Sequence, residues 1–353
     1  MLDQERIDRH LNQLTKPRGS LGRLEKLAAR LCQIQQTLKP ETTPRRLVLF
    51  AGDHGVAASG VTAWPSAVTG LMIQNIRNGG AGSSVLAART RTEAVLVDVG
   101  SISGETAERF ESGDGLSKPD PRFSVVFRNR RLRAGTRDLS HESALTGAEF
   151  EQALEIGRQE ARSAAADGIQ IVATGEMGIG NTTPSACLSM LLADVELQNA
   201  VGRGAGADEI TLERKRQVVQ EAVERARKLW KVDSLTALAS VAGLEIAAIA
   251  GFFLEARSAG LTIILDGYVT TAAALIARHI RPGIEESLIA SHLSAEPGHR
   301  MVLEHLGLTP FLEWDLRLGE GTGALLLMPL LDAAAAVVGR MATFADLGIQ
   351  STG

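Results

Sequence analysis

One segment of the chain combines an acid, an amide and hydroxyl groups within a few residues. It reads GEMGIGNTTP at 175–184 and holds Glu176, Gly178, Asn181 and Thr182. A carboxylate can stabilise positive charge or move a proton, while amide and hydroxyl groups hold hydroxylated ligands. Gly178 lets the backbone approach such a ligand closely. A helix cap accounts for part of this pattern but needs no carboxylate, so we interpret the segment as part of a functional site.

A second segment, GEGTG at 319–323, places Glu320 between Gly319 and Gly321. Flanking glycines indicate a backbone that is confined against a ligand. A carboxylate that is partly shielded from water has a raised pKa and can accept a proton near neutral pH. Glu320 is therefore a candidate general base, with a solvated loop acid as the alternative.

A third segment, VGRGAGAD at 201–208, has the glycines of an anion-binding loop. Gly202 and Gly204 leave backbone N–H groups unobstructed, and a predicted helix begins near Thr211. Lys215, within about a turn of that start, adds a positive charge. The segment predicts a phosphate site, with a plain flexible loop as the alternative.

Four apolar runs predict the strands that position these segments. They lie in residues 46–55, 94–100, 169–184 and 261–271, and polar or glycine-rich residues follow each run. Such apolar runs are typical of strands that are buried on both faces of a parallel sheet. Ala-rich helical segments lie between them, which indicates right-handed crossovers. We therefore predict a mainly parallel, open α/β sheet with helices on both faces, similar to a Rossmann fold.

Ligands of an open parallel sheet bind at the carboxyl ends of its strands. Asp266 follows one of the predicted strands and joins the candidates for this reason. Asp53 and His54 follow another strand. We interpret His54 as a turn histidine that contacts the backbone.

The predicted elements divide the chain into two parts. Residues 1–40 and about 324–353 are helical without strands, which predicts a small helical lobe built from both ends of the chain. Residues 41–323 form the predicted large α/β catalytic domain. The arginine-rich residues 101–145 break the pattern, and we interpret them as a solvated excursion or an edge hairpin. The alternative is that one of these arginines reaches an anionic ligand or a subunit boundary.

Composition argues against several other classes of protein. The formal net charge is −4 and aromatic residues make up 4%, which does not favour nucleic-acid binding. Charged residues interrupt the longest apolar stretches, and the start of the chain lacks an apolar signal region, so we expect a cytoplasmic protein without membrane spans. Cys32 and Cys187 form no CxxC motif, and the histidines show no HxH or HxxxH spacing. We therefore expect no metal and no cofactor.

Seven stretches of the sequence resemble the nicotinate-nucleotide–dimethylbenzimidazole phosphoribosyltransferase family. In family order they are TKPRGSLGRLE at 15–25, AGDHGV at 51–56, GEMGIGNTTP at 175–184, VGRGAG at 201–206, LDGYVTTAAAL at 265–275, SHLSAEPGH at 291–299 and RLGEGTGA at 317–324. The resemblance implies a mainly parallel α/β domain, a small helical lobe and a homodimer. It also implies transfer of phosphoribose from nicotinate mononucleotide to a benzimidazole nitrogen during cobalamin lower-ligand synthesis, with inversion at C1′ and release of nicotinate.

In that reaction the resemblance makes Glu320 the general base. This agrees with the chemistry, because the pyridinium is already activated as a leaving group whereas the incoming ring must lose a proton. Glu176 is our candidate for stabilising the oxocarbenium charge. We assign the phosphate to Gly202, Gly204 and Lys215. We assign the ribose hydroxyls to Asn181, Thr182 and Asp266. Further substrate contacts are expected from Gly178, Ser291, Gly319 and Gly321.

The acceptor pocket departs from the family pattern. Trp64 and Met72 stand where well-known members carry a small polar residue and a glutamine. Trp64 is either packing at the rim or an aromatic wall for the incoming base. The acceptor is therefore dimethylbenzimidazole, another benzimidazole or a purine such as adenine. A hydrolase acting on the mononucleotide and a non-catalytic nucleotide-binding protein are the alternative functions.

Overall fold

The computed structural model describes residues 2–102 and 125–349. Its centre is a six-stranded parallel sheet with the strand order β3-β2-β1-β4-β5-β6. The strands are β1 (Arg45–Gly52), β2 (Glu93–Gly100), β3 (Val125–Asn129), β4 (Ile171–Met177), β5 (Thr262–Leu265) and β6 (Leu288–Ala290). A parallel pair of two-residue strands, β7 (His292–Leu293) and β8 (Leu312–Glu313), lies apart from it. The predicted mainly parallel α/β sheet is confirmed.

Helices cover both faces of this sheet. They are α1 (Gln4–Gln13), α2 (Arg23–Gln35), α3 (Ala67–Arg77), α4 (Gly82–Arg89), α5 (Gly147–Ala166), α6 (Thr182–Leu192), α7 (Leu197–Ala200), α8 (Glu209–Trp230), α9 (Ser234–Val241), α10 (Leu244–Ser258), α11 (Tyr268–Ile280), α12 (His299–His305) and α13 (Thr322–Arg340). Short 3₁₀ turns occupy Gly55–Ser59, Ile284–Ser287 and Ala345–Leu347.

The alternation of side chains along β1 explains why its sequence is apolar throughout. Val48 and Phe50 point into a core that contains residues of α5 and α10, whereas Leu47 and Leu49 point into a core that contains residues of α2 and α13. Successive side chains of a strand face opposite sides of the sheet. A strand between two helical layers therefore needs apolar residues at consecutive positions.

The terminal helices cover one face of the sheet. Helix α2 packs against α13, and Leu14 forms a β-bridge with Thr343. The apolar side chains of these helices share one core with Leu47 and Leu49 of β1. The division into a helical lobe and a catalytic domain stays a prediction.

The sequence did not predict the edge strand β6, and it left the segment of the edge strand β3 as either a solvated excursion or an edge hairpin. β3 has five residues and β6 has three, and both lie at the outer edges of the sheet. β3 falls within the arginine-rich segment, where Arg133 and Arg137 pair with Glu149 at the start of α5 at 2.8 and 2.7 Å. Residues 103–124 of that segment lie outside the described residues.

One helix of the described residues is long and apolar enough to cross a membrane. It is α13, and half of its most apolar window is buried inside the protein.

Candidate active site

The strand order reverses direction between β1 and β4. A crevice forms at such a switch point beyond the carboxyl ends of the strands. A cavity of about 490 Å³ lies there, with Glu176 and Met177 of β4 in its wall. Tyr268 at the start of α11 and Glu320 before α13 also line it. The sheet therefore positions the cavity, and the loops that follow its strands supply the chemistry.

Glu320 lies almost completely buried in this cavity wall. Its Oε2 accepts a hydrogen bond of 2.9 Å from the Ser83 hydroxyl and a longer one, 3.4 Å, from the Ser83 backbone N–H. Ser83 stands at the start of α4, where the helix dipole favours a negative charge. Burial nevertheless raises the pKa of Glu320. The side chain is thus a carboxyl group that exchanges its proton closer to neutrality than a solvated one.

An unusual backbone presents Glu320 to the cavity. Gly319, Glu320 and Gly321 all have positive φ values, +82°, +58° and +73°. A glutamate in this region is strained, and such strain persists where the surroundings enforce it. A Cβ at Gly319 would overlap the Glu176 carboxylate, and one at Gly321 would overlap Leu47. The two glycines therefore let the loop pack directly on the end of β4 and on the core.

Asp266 binds this loop from the end of β5. Its Oδ1 accepts from the N–H groups of Gly323 at 2.8 Å and Ala324 at 3.2 Å, and its Oδ2 accepts from Gly321 at 3.1 Å. These donors are the free N–H groups at the start of α13. Asp266 already accepts three backbone N–H groups and is not among the residues that line the cavity, and its predicted contact with the ribose stays a prediction. Asp266 is a positioning residue for Glu320.

Glu176 is the second carboxyl group of the cavity. It is buried, and the Asn181 amide donates a hydrogen bond to its Oε2. Burial first, and then the negative charges of Asp266 and Glu245, raise the pKa of Glu176 to about 8. Without a ligand, Glu176 is therefore mainly protonated at neutral pH. A cation in the cavity would favour its ionised form.

A buried lysine occupies another end of the same cavity. The Lys215 amine donates to the Thr182 hydroxyl at 2.7 Å and to the Gly202 carbonyl at 3.0 Å. Burial lowers the pKa of Lys215 to about 8. Gly204 and Thr182 line the cavity beside it. This cluster provides one amine beside a glycine loop, which suits an anion.

Apolar side chains form the remaining wall. Val61, Val68, Met72 and Leu318 line the cavity with Trp64. The Trp64 indole N–H donates to the Ala205 carbonyl at 3.1 Å, and half of this residue is exposed. Trp64 thereby connects the segment before α3 to the glycine loop before α8. The wall suits a planar, mostly apolar ring.

A family model described as a phosphoribosyltransferase matches residues 3–349 of this chain. The chain belongs to this phosphoribosyltransferase family. A protein of Thermus thermophilus named nicotinate-nucleotide–dimethylbenzimidazole phosphoribosyltransferase is 44% identical to it, and the match covers 96% of each chain. A Geobacter protein of the same name is 41% identical, over 97% of this chain and 93% of its own. The resemblance found in the sequence is confirmed.

The fold of this phosphoribosyltransferase also matches a solved structure. The crystal structure of CobT from Thermus thermophilus aligns with a TM-score of 0.87 at 42% identity. The alignment covers 99% of both chains. The two proteins therefore share the whole architecture described above.

The cavity brings most of the predicted site residues of the phosphoribosyltransferase together. Those that line it are Trp64, Met72, Glu176, Gly178, Asn181, Thr182, Gly204, Lys215, Gly319 and Glu320. Gly202, Asp266, Ser291 and Gly321 lie behind its wall. Gly202 holds the Lys215 amine through its carbonyl, and Ser291 is fully buried beside Asp266. Direct substrate contact by these four residues stays a prediction.

Several residues of the cavity wall were not predicted from the sequence. They are Arg203, Tyr268, His292, Ser294, Glu296 and Arg317. Most of them stand within or directly beside stretches quoted for the family resemblance, which is the signal that was present. The spacing of these residues in the sequence did not indicate that their side chains line the cavity.

The interpretation of His54 was wrong. His54 Nε2 lies 2.8 Å from Oε1 of Glu245, and both side chains are buried. Glu245 interrupts the apolar sequence of α10 because it stands in the first turn of that helix, against the end of β1. The negative charge of Glu245, reinforced by a hydrogen bond, outweighs burial and raises the pKa of His54. The pair lies under the loop that begins at Gly178, whose Cβ position is 3.2 Å from His54 Nε2.

The raised pKa of Glu176 makes folding stability depend on pH. The pKa of about 8 in the folded protein lies above the ordinary 4.5. The contribution of protonated Glu176 to the free energy of unfolding is therefore complete below pH 4.5 and is lost as the pH rises through 8. The side chain of Glu176→Gln does not ionise, so this variant does not lose stability in this way as the pH rises. We expect the variant to gain a few kcal/mol over the wild type between pH 5 and pH 9, since one pKa unit corresponds to about 1.4 kcal/mol.

Urea unfolding of both proteins across this pH range measures the difference. Glu304→Gln is the matched control, because Glu304 is exposed on the surface and should show the same pH profile as the wild type. A constant difference between Glu176→Gln and the wild type at all pH values would contradict the raised pKa.

Proposed function

We propose that the chain transfers phosphoribose from nicotinate mononucleotide to 5,6-dimethylbenzimidazole, giving α-ribazole 5′-phosphate and nicotinate. The observation that carries this is one cavity with two buried carboxyl groups, Glu176 and Glu320, and the buried amine of Lys215. The names of the relatives support the same reaction.

The walls of the cavity match the parts of the mononucleotide. Lys215 and the N–H groups around Gly204 fit the phosphate, because a cation and free backbone donors bind anions. The apolar wall with Trp64 and Met72 fits the planar bases. The ribose joins phosphate and base covalently, so it lies between these ends, beside the carboxyl groups.

The two carboxyl groups have different tasks in the transfer. The incoming benzimidazole attacks C1′ with one ring nitrogen, and the proton on its other nitrogen must leave. Glu320 accepts this proton, and its raised pKa matches the task. The pyridinium of the substrate and the developing oxocarbenium ion are cations, and they favour ionised Glu176 beside them. Nicotinate then departs with the bonding electrons.

Glu320→Gln tests the assignment of the general base. We expect kcat to fall at least about 100-fold while the affinity for nicotinate mononucleotide changes a few-fold at most, because the amide cannot accept the proton. Glu313→Gln, at an exposed position of β8, should keep normal activity. Near-normal activity of Glu320→Gln would remove this residue as the base.

Nicotinate release measured in the same assay separates transfer from hydrolysis. The wild type should release nicotinate when dimethylbenzimidazole is present and should release little without it. Equal release of nicotinate without any acceptor would establish a hydrolase instead. Binding of the mononucleotide without release of nicotinate would establish a nucleotide-binding protein. Adenine as the added base tests the alternative acceptor.

Lys215→Ala tests the phosphate site. We expect at least about tenfold weaker binding of nicotinate mononucleotide, because a charge-assisted contact to the phosphate is lost. Nicotinate riboside, which lacks the phosphate, should bind equally to variant and wild type. Calorimetry measures both affinities, and Lys228→Ala near the end of α8 is the control. Equal losses for both ligands would contradict the phosphate contact.

We also propose that the protein is cytoplasmic, as its composition predicts, and that it is a homodimer, as the resemblance implies. Exposed apolar side chains on neighbouring helices support self-association: Leu71 of α3, Val85 of α4 and Leu330 of α13. Light scattering should give a mass near twice 37.4 kDa, and Leu330→Glu should lower it. A wild-type mass of one chain would contradict the dimer.

A further inference from the structure

His292 lines the cavity, and the mechanism above gives it no role. It begins β7 and is 3% exposed. Its Cε1 and Nε2 lie 3.6 and 3.7 Å from the Cβ position of Gly267, and a Cβ at Gly323 would overlap its Nδ1. These glycines stand at the starts of α11 and α13, so the imidazole lies between two helix N-termini.

His292 shares the cavity with the two ends that we assign to the base and to the phosphate. Gly323 follows Glu320 by three residues on one side. On the other side Ser294 also packs against Gly267, and Glu296 interacts electrostatically with Lys215. His292, Glu320 and Lys215 all line this one cavity.

The imidazole of His292 is neutral in these surroundings. Burial lowers the pKa of His292 to about 4, and the positive ends of two helix dipoles also disfavour an added proton. The neighbouring ring of His299, 6.1 Å away, is neutral as well, because burial lowers its pKa to about 3. One nitrogen of His292 thus carries a hydrogen and the other carries a lone pair.

The hydrogen bonds around His292 place its hydrogen on Nδ1. The Ser291 hydroxyl lies 3.4 Å from the Asp266 carbonyl and 3.1 Å from Nδ1. A carbonyl can only accept, so both bonds form when the hydroxyl donates to the carbonyl and Nδ1–H donates to the hydroxyl. Asp266 Oδ1, which accepts two backbone N–H groups, is 3.8 Å from Nδ1 and favours the same arrangement. Nε2 then keeps its lone pair.

This lone pair has no partner among residues 2–102 and 125–349. The side chains that the sequence assigned to the ribose are already bound within the protein: Asn181 to Glu176, Thr182 to Lys215, and Asp266 to the start of α13. His292 lines a ligand cavity, so a bound ligand that displaces water and offers no donor there leaves this acceptor unpaired, which is costly.

We propose that His292 Nε2 accepts a hydrogen bond from a ribose hydroxyl of the mononucleotide and thereby selects ribonucleotides over deoxyribonucleotides. The proposal rests on the proposed function, which supplies the ribose. A donor hydroxyl satisfies the lone pair, whereas a deoxyribose leaves it buried and unpaired. The cost of that unpaired acceptor produces the selectivity.

Calorimetry without any acceptor base tests this selectivity. The ligands are nicotinate mononucleotide and its 2′-deoxy and 3′-deoxy analogues. We expect one analogue to bind the wild type about three- to tenfold more weakly, the range of one hydrogen bond. His292→Phe keeps a ring of similar size without the acceptor, so it should bind all three ligands alike. His292→Gln, which keeps an acceptor oxygen, should restore part of the difference.

Several results would overturn the proposal. One is equal binding of all three ligands by a wild type that transfers phosphoribose, which leaves the proposed function intact. Another is unchanged selectivity in His292→Phe. Nitrogen-15 NMR of the wild type, which needs no variant to fold, should show Nδ1 protonated; a proton on Nε2 would contradict the acceptor role. Failure of the wild type to bind the mononucleotide would overturn both proposals.

Discussion

The carboxylate of Asp266 bound to the first N–H groups of α13 is the interaction on which the site depends. It joins the end of β5 to the loop that carries Glu320. Three successive residues of that loop have left-handed backbones, one of them a glutamate, and such a conformation persists where other contacts enforce it. Asp266 supplies those contacts. The rigid central sheet thus fixes the position of the Glu320 side chain, which we assign as the base.

The same arrangement concentrates carboxyl groups away from water. Burial raises the pKa of Asp266 to about 7 and that of Glu176 to about 8. Glu176 is therefore mainly protonated in the empty site at neutral pH, and a cationic pyridinium would favour its ionised form. In the reaction that we propose, the positive charge of the substrate restores the negative charge that burial suppresses. This explains why a site for an anionic nucleotide contains so many acids.

The sequence predicts the structure best where a local pattern determines it. Apolar runs predicted β1, β2, β4 and β5, but β6, with three residues, carries too little pattern to detect. In the site, glycine-flanked Glu320 was found from its neighbours in sequence. His292 was missed, and the hydrogen bonds of Asp266 to the start of α13 were not predicted, because what a side chain binds depends on partners such as Gly323 and Ser291 that only the tertiary fold brings beside them.

A crystal structure with nicotinate mononucleotide and dimethylbenzimidazole bound to the inactive Glu320→Gln enzyme tests the central claim most directly. We expect the residue-320 side chain within about 3 Å of the ring nitrogen that carries the acceptor's hydrogen, on the face of C1′ opposite nicotinate. A side chain that lies more than a water's width from that nitrogen, with the nitrogen facing solvent, would contradict it.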